Sequence, residues 1–359
     1  MRAVRVIGGG LMGLGLARAL AKAGHHVALF EKNMTVGDEA SRASAGMIGP
    51  QSEAMEDDAY FAATLASRDE WPAYAKALQE ESGVDFGFRD KGAIHLAFGA
   101  AYERRLEAKY LWQKKRAGAL ERLEGEALRG RFPYLAPRVS SAFLAYGDYW
   151  LDSERLVDAL LASCVKLGVE IRCGEELPFE PKDGALALPT VLAAGAWSSK
   201  IFPQLPGIHP VKGQMLSFRV PPALLPELPI HAESCYLVPR GADRLLVGAT
   251  VETVGFDKRL TGEGVEWLLQ NAFETIPDLR NCEIDRLWAG LRPGSGDGWP
   301  TLGACPVKNL YLACGHYRRG ILFLPLTVRA VMHSIEQGGL PEDTKAFGFE
   351  RHLKAGQGV

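Results

Sequence analysis

Six residues, Gly8-Gly9-Gly10-Leu11-Met12-Gly13, stand between a β-type run at 3–7 and a stretch at 11–23 with apolar side chains at helical spacing. A second β-type run, residues 26–31, follows directly. Strand, glycine loop, helix and strand within about 30 residues form the opening unit of a doubly wound sheet. In the G-x-G-x-x-G spacing Gly8 makes the tight turn, Gly10 lets backbone approach a pyrophosphate, and Gly13 lets helix and strand pack closely. The helix start then turns free N–H groups toward the phosphates. Glu31 closes the second strand where an acid binds a ribose hydroxyl, which favours FAD or NAD over NADP. The motif alone leaves FAD and NAD both open.

Downstream, the pattern predicts a loop at 41–49, and a helix at 58–81 that Trp71-Pro72 kinks or restarts. A hairpin is expected at 86–98, a charged helix at 102–116 and a strand at 140–151. Asp152-Ser153 caps a helix that runs to Lys166. Buried strands at 169–172 and 190–194 return to the first sheet, and 209–251 reads as β throughout. A helix at 264–275, strands at 283–291 and 310–314, a helix at 320–335 and a loose tail after Lys345 complete the reading. The fold class is α/β: a Rossmann-like dinucleotide domain (1–83, 140–205 and 283–359) interleaved with a smaller antiparallel-β substrate domain (84–139 and 206–282).

Lys+Arg 41 against Asp+Glu 43 leaves a net charge of −2, an even balance that argues against a nucleic-acid binder. The six cysteines show no C-x-x-C or metal-finger spacing, and no His-x-x-x-His pair occurs, so no metal site is expected and the chain reads as a reduced, cytoplasmic protein. Arg2, Arg5 and Ala19-Leu20-Ala21 imitate an export signal, but glycines interrupt the apolar stretch and Arg18 and Lys22 end it early. No integral membrane segment is expected. A homo-oligomer is left open.

Further segments choose the cofactor. These are Ser41-Arg42-Ala43-Ser44-Ala45-Gly46-Met47, Val191-Leu192-Ala193-Ala194-Gly195-Ala196-Trp197-Ser198 and Leu287-Trp288-Ala289-Gly290-Leu291-Arg292-Pro293. Asp297-Gly298-Trp299-Pro300-Thr301-Leu302-Gly303 and Ala313-Cys314-Gly315-His316-Tyr317-Arg318-Arg319-Gly320-Ile321-Leu322 follow, then Leu324-Pro325-Leu326-Thr327. Over nearly the whole chain this resembles the D-amino-acid-oxidase superfamily of flavoproteins, and most of all its glycine oxidase branch, associated with thiazole synthesis for thiamine. The resemblance implies noncovalent FAD, since Cys305 and Cys314 do not match the flavin-linking cysteine of sarcosine oxidases. Cofactor contacts carry over to Leu11, Met12, Glu31, Lys32, Ala40, Ser41, Ala45, Gly46, Met47, Leu177, Gly195, His316, Tyr317, Arg318, Arg319, Gly320, Ile321 and Leu322.

Arg292, at a strand end before Pro293, suits bidentate capture of a carboxylate. By resemblance Arg318 offers its backbone carbonyl to an amino group, Tyr236 closes the pocket with its hydroxyl near the substrate, and Met47 lines it. The implied reaction needs no strong side-chain base: a positioned neutral amine loses hydride from Cα to FAD. The imine hydrolyses to ammonia and an α-keto acid, and molecular oxygen becomes hydrogen peroxide. Glycine or sarcosine is the first substrate expectation. Two features depart from the family. Residues 172–190 are short and broken by Pro178, Pro181 and Pro189, implying weaker FAD retention, and Ser234 stands where a histidine is expected, implying a drift from glycine. The alternatives are a D-amino-acid or secondary-amine dehydrogenase that reduces a quinone, and a dinucleotide-binding module without turnover.

Overall fold

The structure, a computed structural model of the 359-residue chain, describes residues 2–54, 56–114, 120–205 and 207–355. Its first sheet has six strands in the order Thr301–Ala304, Lys308–Cys314, Ala185–Leu192, Ala3–Ile7, His26–Glu31 and Glu170–Cys173. The hairpin of the first two is antiparallel, and the other neighbours run parallel. Parallel strands need cover on both faces. Helices Leu11–Lys22, Ala59–Ser82, Ser153–Lys166 and Gly320–Glu336 supply it on one side, burying Leu16, Trp71, Leu160 and Phe323 against Val6 and Leu29.

The second sheet has eight strands, in the order Glu283–Gly294, His209–Arg219, Arg244–Gly248, Tyr236–Arg240, Ile230–His231, Ala93–Ala97, Ser141–Ala145 and Leu120–Glu124. All its pairings are antiparallel except that of Ile230–His231 with Ala93–Ala97. Helix Gly262–Thr275 closes one face with Leu268 and Ala272. Thr261 caps it, its hydroxyl accepting from the Gly264 N–H at 3.1 Å. A two-stranded ribbon, Met47–Ile48 with Tyr149–Trp150, lies apart from both sheets.

Several expectations are corrected. The strands Ser141–Ala145 and Glu283–Gly294, assigned by sequence to the dinucleotide half, pair into the eight-stranded sheet. A β-type run declares a strand without declaring its partner. Residues 86–98 form no hairpin: Arg89 bridges to Trp150, and Ala93–Ala97 pairs with Ser141–Ala145. The loop at 41–49 contains the helical turn Ala40–Ala43 and the strand Met47–Ile48. Pro72 interrupts nothing; the helix runs through from Ala59 to Ser82, held by Trp71 Nε1 donating to the Leu322 carbonyl at 3.2 Å. The charged helix is Ala100–Gln113, and Arg116 lies outside the described residues. Up to residue 355 the tail is ordered, by Arg351, which meets Asp297 at 2.6 Å, and by buried Phe349.

Candidate active site

A cavity of about 990 Å³ runs between the two sheets and is lined from both. Every site residue named from sequence lines it except Gly13. Gly13 serves the packing beneath: a β-carbon there would overlap the Gly8 carbonyl. Gly8 itself has φ +105°, and a β-carbon on it would lie 2.5 Å from the Ala193 oxygen. The loop is therefore bare on the cavity side because its other side is already full.

At this end Glu31 is buried and held by the loop it serves, with one oxygen accepting from Gly9 N–H at 2.7 Å and the other from Asn33 N–H at 2.9 Å. Each carboxylate oxygen keeps further acceptor capacity for a sugar hydroxyl. The Leu11 N–H, first in its helix, is met by Ser41 Oγ at 3.0 Å. Lys32 places its ammonium 3.3 Å from the centre of the Trp197 ring, and burial lowers its pKa. Leu177 and Gly195 line the same end.

The middle of the cavity is walled by Ala45-Gly46-Met47. Gly46 has φ +85°, and a β-carbon on it would overlap the Leu151 carbonyl. This loop is clamped from the second sheet: Arg240 donates through Nη2 to the Ala45 carbonyl at 2.8 Å while its Nη1 pairs with Asp152 at 2.7 Å. Opposite, Tyr317 takes φ +49°, a conformation rare for a side-chain-bearing residue, and its N–H bonds the Pro293 carbonyl at 2.9 Å. That bond fastens the 315–320 turn to the strand end carrying Arg292. His316 bonds Thr327 Oγ1 through Nε2 at 2.9 Å, and burial pushes its pKa down to about 3, so it is a neutral structural group. Helix Gly320–Glu336 begins at this wall and aims its positive end into the cavity.

Arg292 enters from the edge strand of the second sheet. Its Nη1 donates to the Lys212 and Thr250 carbonyls at 3.2 and 3.1 Å, which leaves donors free. Tyr236, three strands away in that sheet, comes to the same place with its hydroxyl 3.8 Å from Met215 Sδ. Burial raises the Tyr236 pKa, against the charge and hydrogen bonding of Arg292. Two glycines make the room. A β-carbon on Gly213 would lie 2.5 Å from Arg292 Nη1, and one on Gly248 would lie 2.6 Å from the Tyr236 hydroxyl.

A slot with backbone amides and a loop-bound carboxylate at one end, a helix N-terminus on one wall and an arginine at the other end fits FAD as a guest. The sequence family described as "FAD dependent oxidoreductase" matches residues 3–333. The chain belongs to that family. Among similar FAD-dependent oxidoreductases, the glycine oxidase of Geobacillus kaustophilus is 34% identical, over 98% of this chain and 97% of that protein. Its crystal structure superposes with a TM-score of 0.91, covering 98% of this chain and 100% of that one. The glycine oxidase of Bacillus subtilis is 33% identical, over 96% of each chain. The bifunctional protein ThiO/ThiG of Trichormus variabilis is 31% identical over 98% of this chain and 55% of its own length. This protein is thus an FAD-dependent, glycine oxidase-like enzyme with a parallel first sheet and a largely antiparallel second one. Among the described residues, no helix is long and apolar enough to cross a membrane.

Sequence reasoning missed several residues of this cavity, Ser52, His95, Lys109, Gly213 and His231, and Gly248 behind Tyr236. His95 and His231 are register partners on neighbouring strands, and their rings stack 4.4 Å apart at 5°. Isolated histidines within β-runs carry no spacing signal, so only the pairing reveals them.

Proposed function

We propose that the protein oxidises a small primary or secondary amino acid, glycine or sarcosine first, to an imine and then an α-keto acid, releasing ammonia from a primary amine or the alkylamine from a secondary one, with hydrogen peroxide as co-product. The observation that carries this reading is Arg292: a guanidinium in the cavity beside Tyr236, anchored by the Lys212 and Thr250 carbonyls and paired with no carboxylate among the described residues, with space reserved for it by Gly213. The full-length similarity to proteins named glycine oxidase supports the same substrate.

Bound FAD supplies a two-electron acceptor for the amine Cα–H and hands those electrons to molecular oxygen. The protein's own part is placement. Arg292 grips the carboxylate through its planar fork, and Tyr236 closes over it. Arg318, lining the same wall, offers its carbonyl to the amine. The Arg292 and Arg318 guanidiniums favour loss of the ammonium proton on binding, since like charge disfavours the charged form. No side-chain base is then required, and neutral His316 is not one. FAD is held by Gly8, Gly10, Leu11, Met12, Glu31, Lys32, Ala40, Ser41, Ala45, Gly46, Met47, Leu177, Gly195 and residues 316–322. It is held noncovalently: Cys305 and Cys314 are not among the cavity-lining residues, and the thiol of Cys235, which is among them, is kept protonated by burial that pushes its pKa up to about 12. Six free thiols suit a cytoplasmic setting, and the similarity to ThiO/ThiG suits a product that feeds thiazole synthesis for thiamine.

The test is optical. The purified protein is given glycine without oxygen and then exposed to air. Bleached flavin bands that return with stoichiometric peroxide support the reading. Bands bleached by glycine that return only with a quinone would replace the oxidase with a dehydrogenase, and bands that no amine bleaches would refute turnover.

A further inference from the structure

Beyond Tyr236 the cavity continues into a polar chamber that a glycine-sized substrate does not fill. The contacts form one path. The Tyr236 ring lies 6.5 Å from that of His231, and His231 stacks on His95. His95 Nε2 meets Ser52 Oγ at 2.7 Å, and Lys109 Nζ donates to the Ser52 carbonyl. Ser52 also hydrogen-bonds the buried carboxylate of Asp148. A serine hydroxyl has one proton. With that proton on Asp148, Ser52 accepts from His95, which fixes the proton of His95 on Nε2. The His231 imidazole makes no hydrogen bond among the described residues, and the residue lines the cavity.

Charge pairing points to the guest. Two acids line this end, and each has an arginine: Glu53 with Arg319 at 3.8 Å and Glu233 with Arg105 at 2.7 Å. Three cations line it without a carboxylate partner among the described residues, namely Arg292, Arg318 and Lys109. A single substrate carboxylate on Arg292 leaves Lys109 without an ion pair among the described residues, with only the longer-range pull of Asp148 and Glu53. Burial lowers the Lys109 pKa despite the pull of Asp148 and Glu53, and the same cation, with burial, keeps both histidines neutral. An anion in this chamber would relieve all three groups together.

Resting on the carboxylate role of Arg292, we propose that the Lys109–His231–Ser52 chamber binds a second carboxylate, so that the enzyme favours amino acids carrying one on the side chain or on nitrogen. Lys109 supplies the charge, and the neutral imidazole of His231 donates a hydrogen bond to the same group.

The test is calorimetric titration of the FAD-loaded protein with malonate, succinate and glutarate, each against the monocarboxylate lacking one carboxyl group. At least one dicarboxylate is expected to bind about tenfold tighter than its partner, well above the twofold of statistics. The gain should fall to twofold or less in Lys109→Met, or in Lys109→Gln if the first variant does not fold, and survive in Lys109→Arg. Turnover then separates the sources: aspartate against alanine reports a side-chain carboxylate, and N-carboxymethylglycine against N-methylglycine reports one on nitrogen. No gain above twofold for any dicarboxylate overturns the proposal, as does a gain that persists in a folded, flavin-loaded Lys109→Met. Monocarboxylates that bind wild type and Arg292→Met equally overturn the Arg292 reading, and this inference with it.

Discussion

A β-carbon at Gly213 would lie 2.5 Å from Nη1 of Arg292, so the guanidinium fills the space that any larger residue at 213 would claim. The two belong to paired antiparallel strands. Gly213→Ala is expected to raise the KM for glycine at least tenfold while the protein keeps its flavin, because only the arginine must move. Steady-state kinetics beside the flavin-to-protein absorbance ratio checks this; an unchanged KM would show that Arg292 does not hold the substrate.

Arg292→Met should be harsher. It removes a charge-assisted bidentate contact inside a desolvated cavity, a loss of about 2–5 kcal/mol. Carboxylate affinity is expected to drop by about thirtyfold or more. Arg292→Lys recovers only part of it, since an ammonium lacks the fork. Titration of the flavin spectrum with acetate reads both variants.

Gly46→Ala acts on the cofactor. The residue holds φ +85° and faces the Leu151 carbonyl too closely for a side chain, so the loop must shift into the cavity. Flavin is expected to be lost on gel filtration. A folded Gly46→Ala protein that remains yellow would remove this loop from the FAD site.

Asp148 provides a pH signature. It is buried, and desolvation raises its pKa to about 6, despite hydrogen bonds from Ser52 and from the Gln51 and Ser52 amides. In the unfolded chain it titrates near 4. The folded state therefore binds the extra proton between these values, and stability falls as pH rises from about 4 to about 6, by about 3 kcal/mol at most. Asp148→Asn should flatten that slope in urea unfolding measured across this window. An identical slope in the variant would show that Asp148 titrates normally.

The cofactor half of the cavity is legible in sequence because its chemistry is local. A glycine triplet followed by Leu11, and Glu31 closing the next strand, lie within one supersecondary unit, and spacing alone aligns them. Arg292 and Tyr236 were readable only through their motif context. His95 and His231 were not readable at all, because they meet through a parallel register between Ala93–Ala97 and Ile230–His231, strands separated by more than a hundred residues, and Lys109 reaches them from the helix Ala100–Gln113. The placement of Ser141–Ala145 and Glu283–Gly294 failed for the same reason: pairing partners are chosen by the assembled sheet.

Arg240 and Tyr236 sit at opposite ends of one five-residue strand, the first gripping the loop at Ala45 and the second facing Arg292. Such a strand spans about 13 Å between its ends and barely stretches. It acts as a ruler between the two guests. On the proposed function, the distance from flavin wall to amino-acid pocket is thereby set before either molecule arrives, so alignment of the reacting atoms does not have to wait for a lid to close.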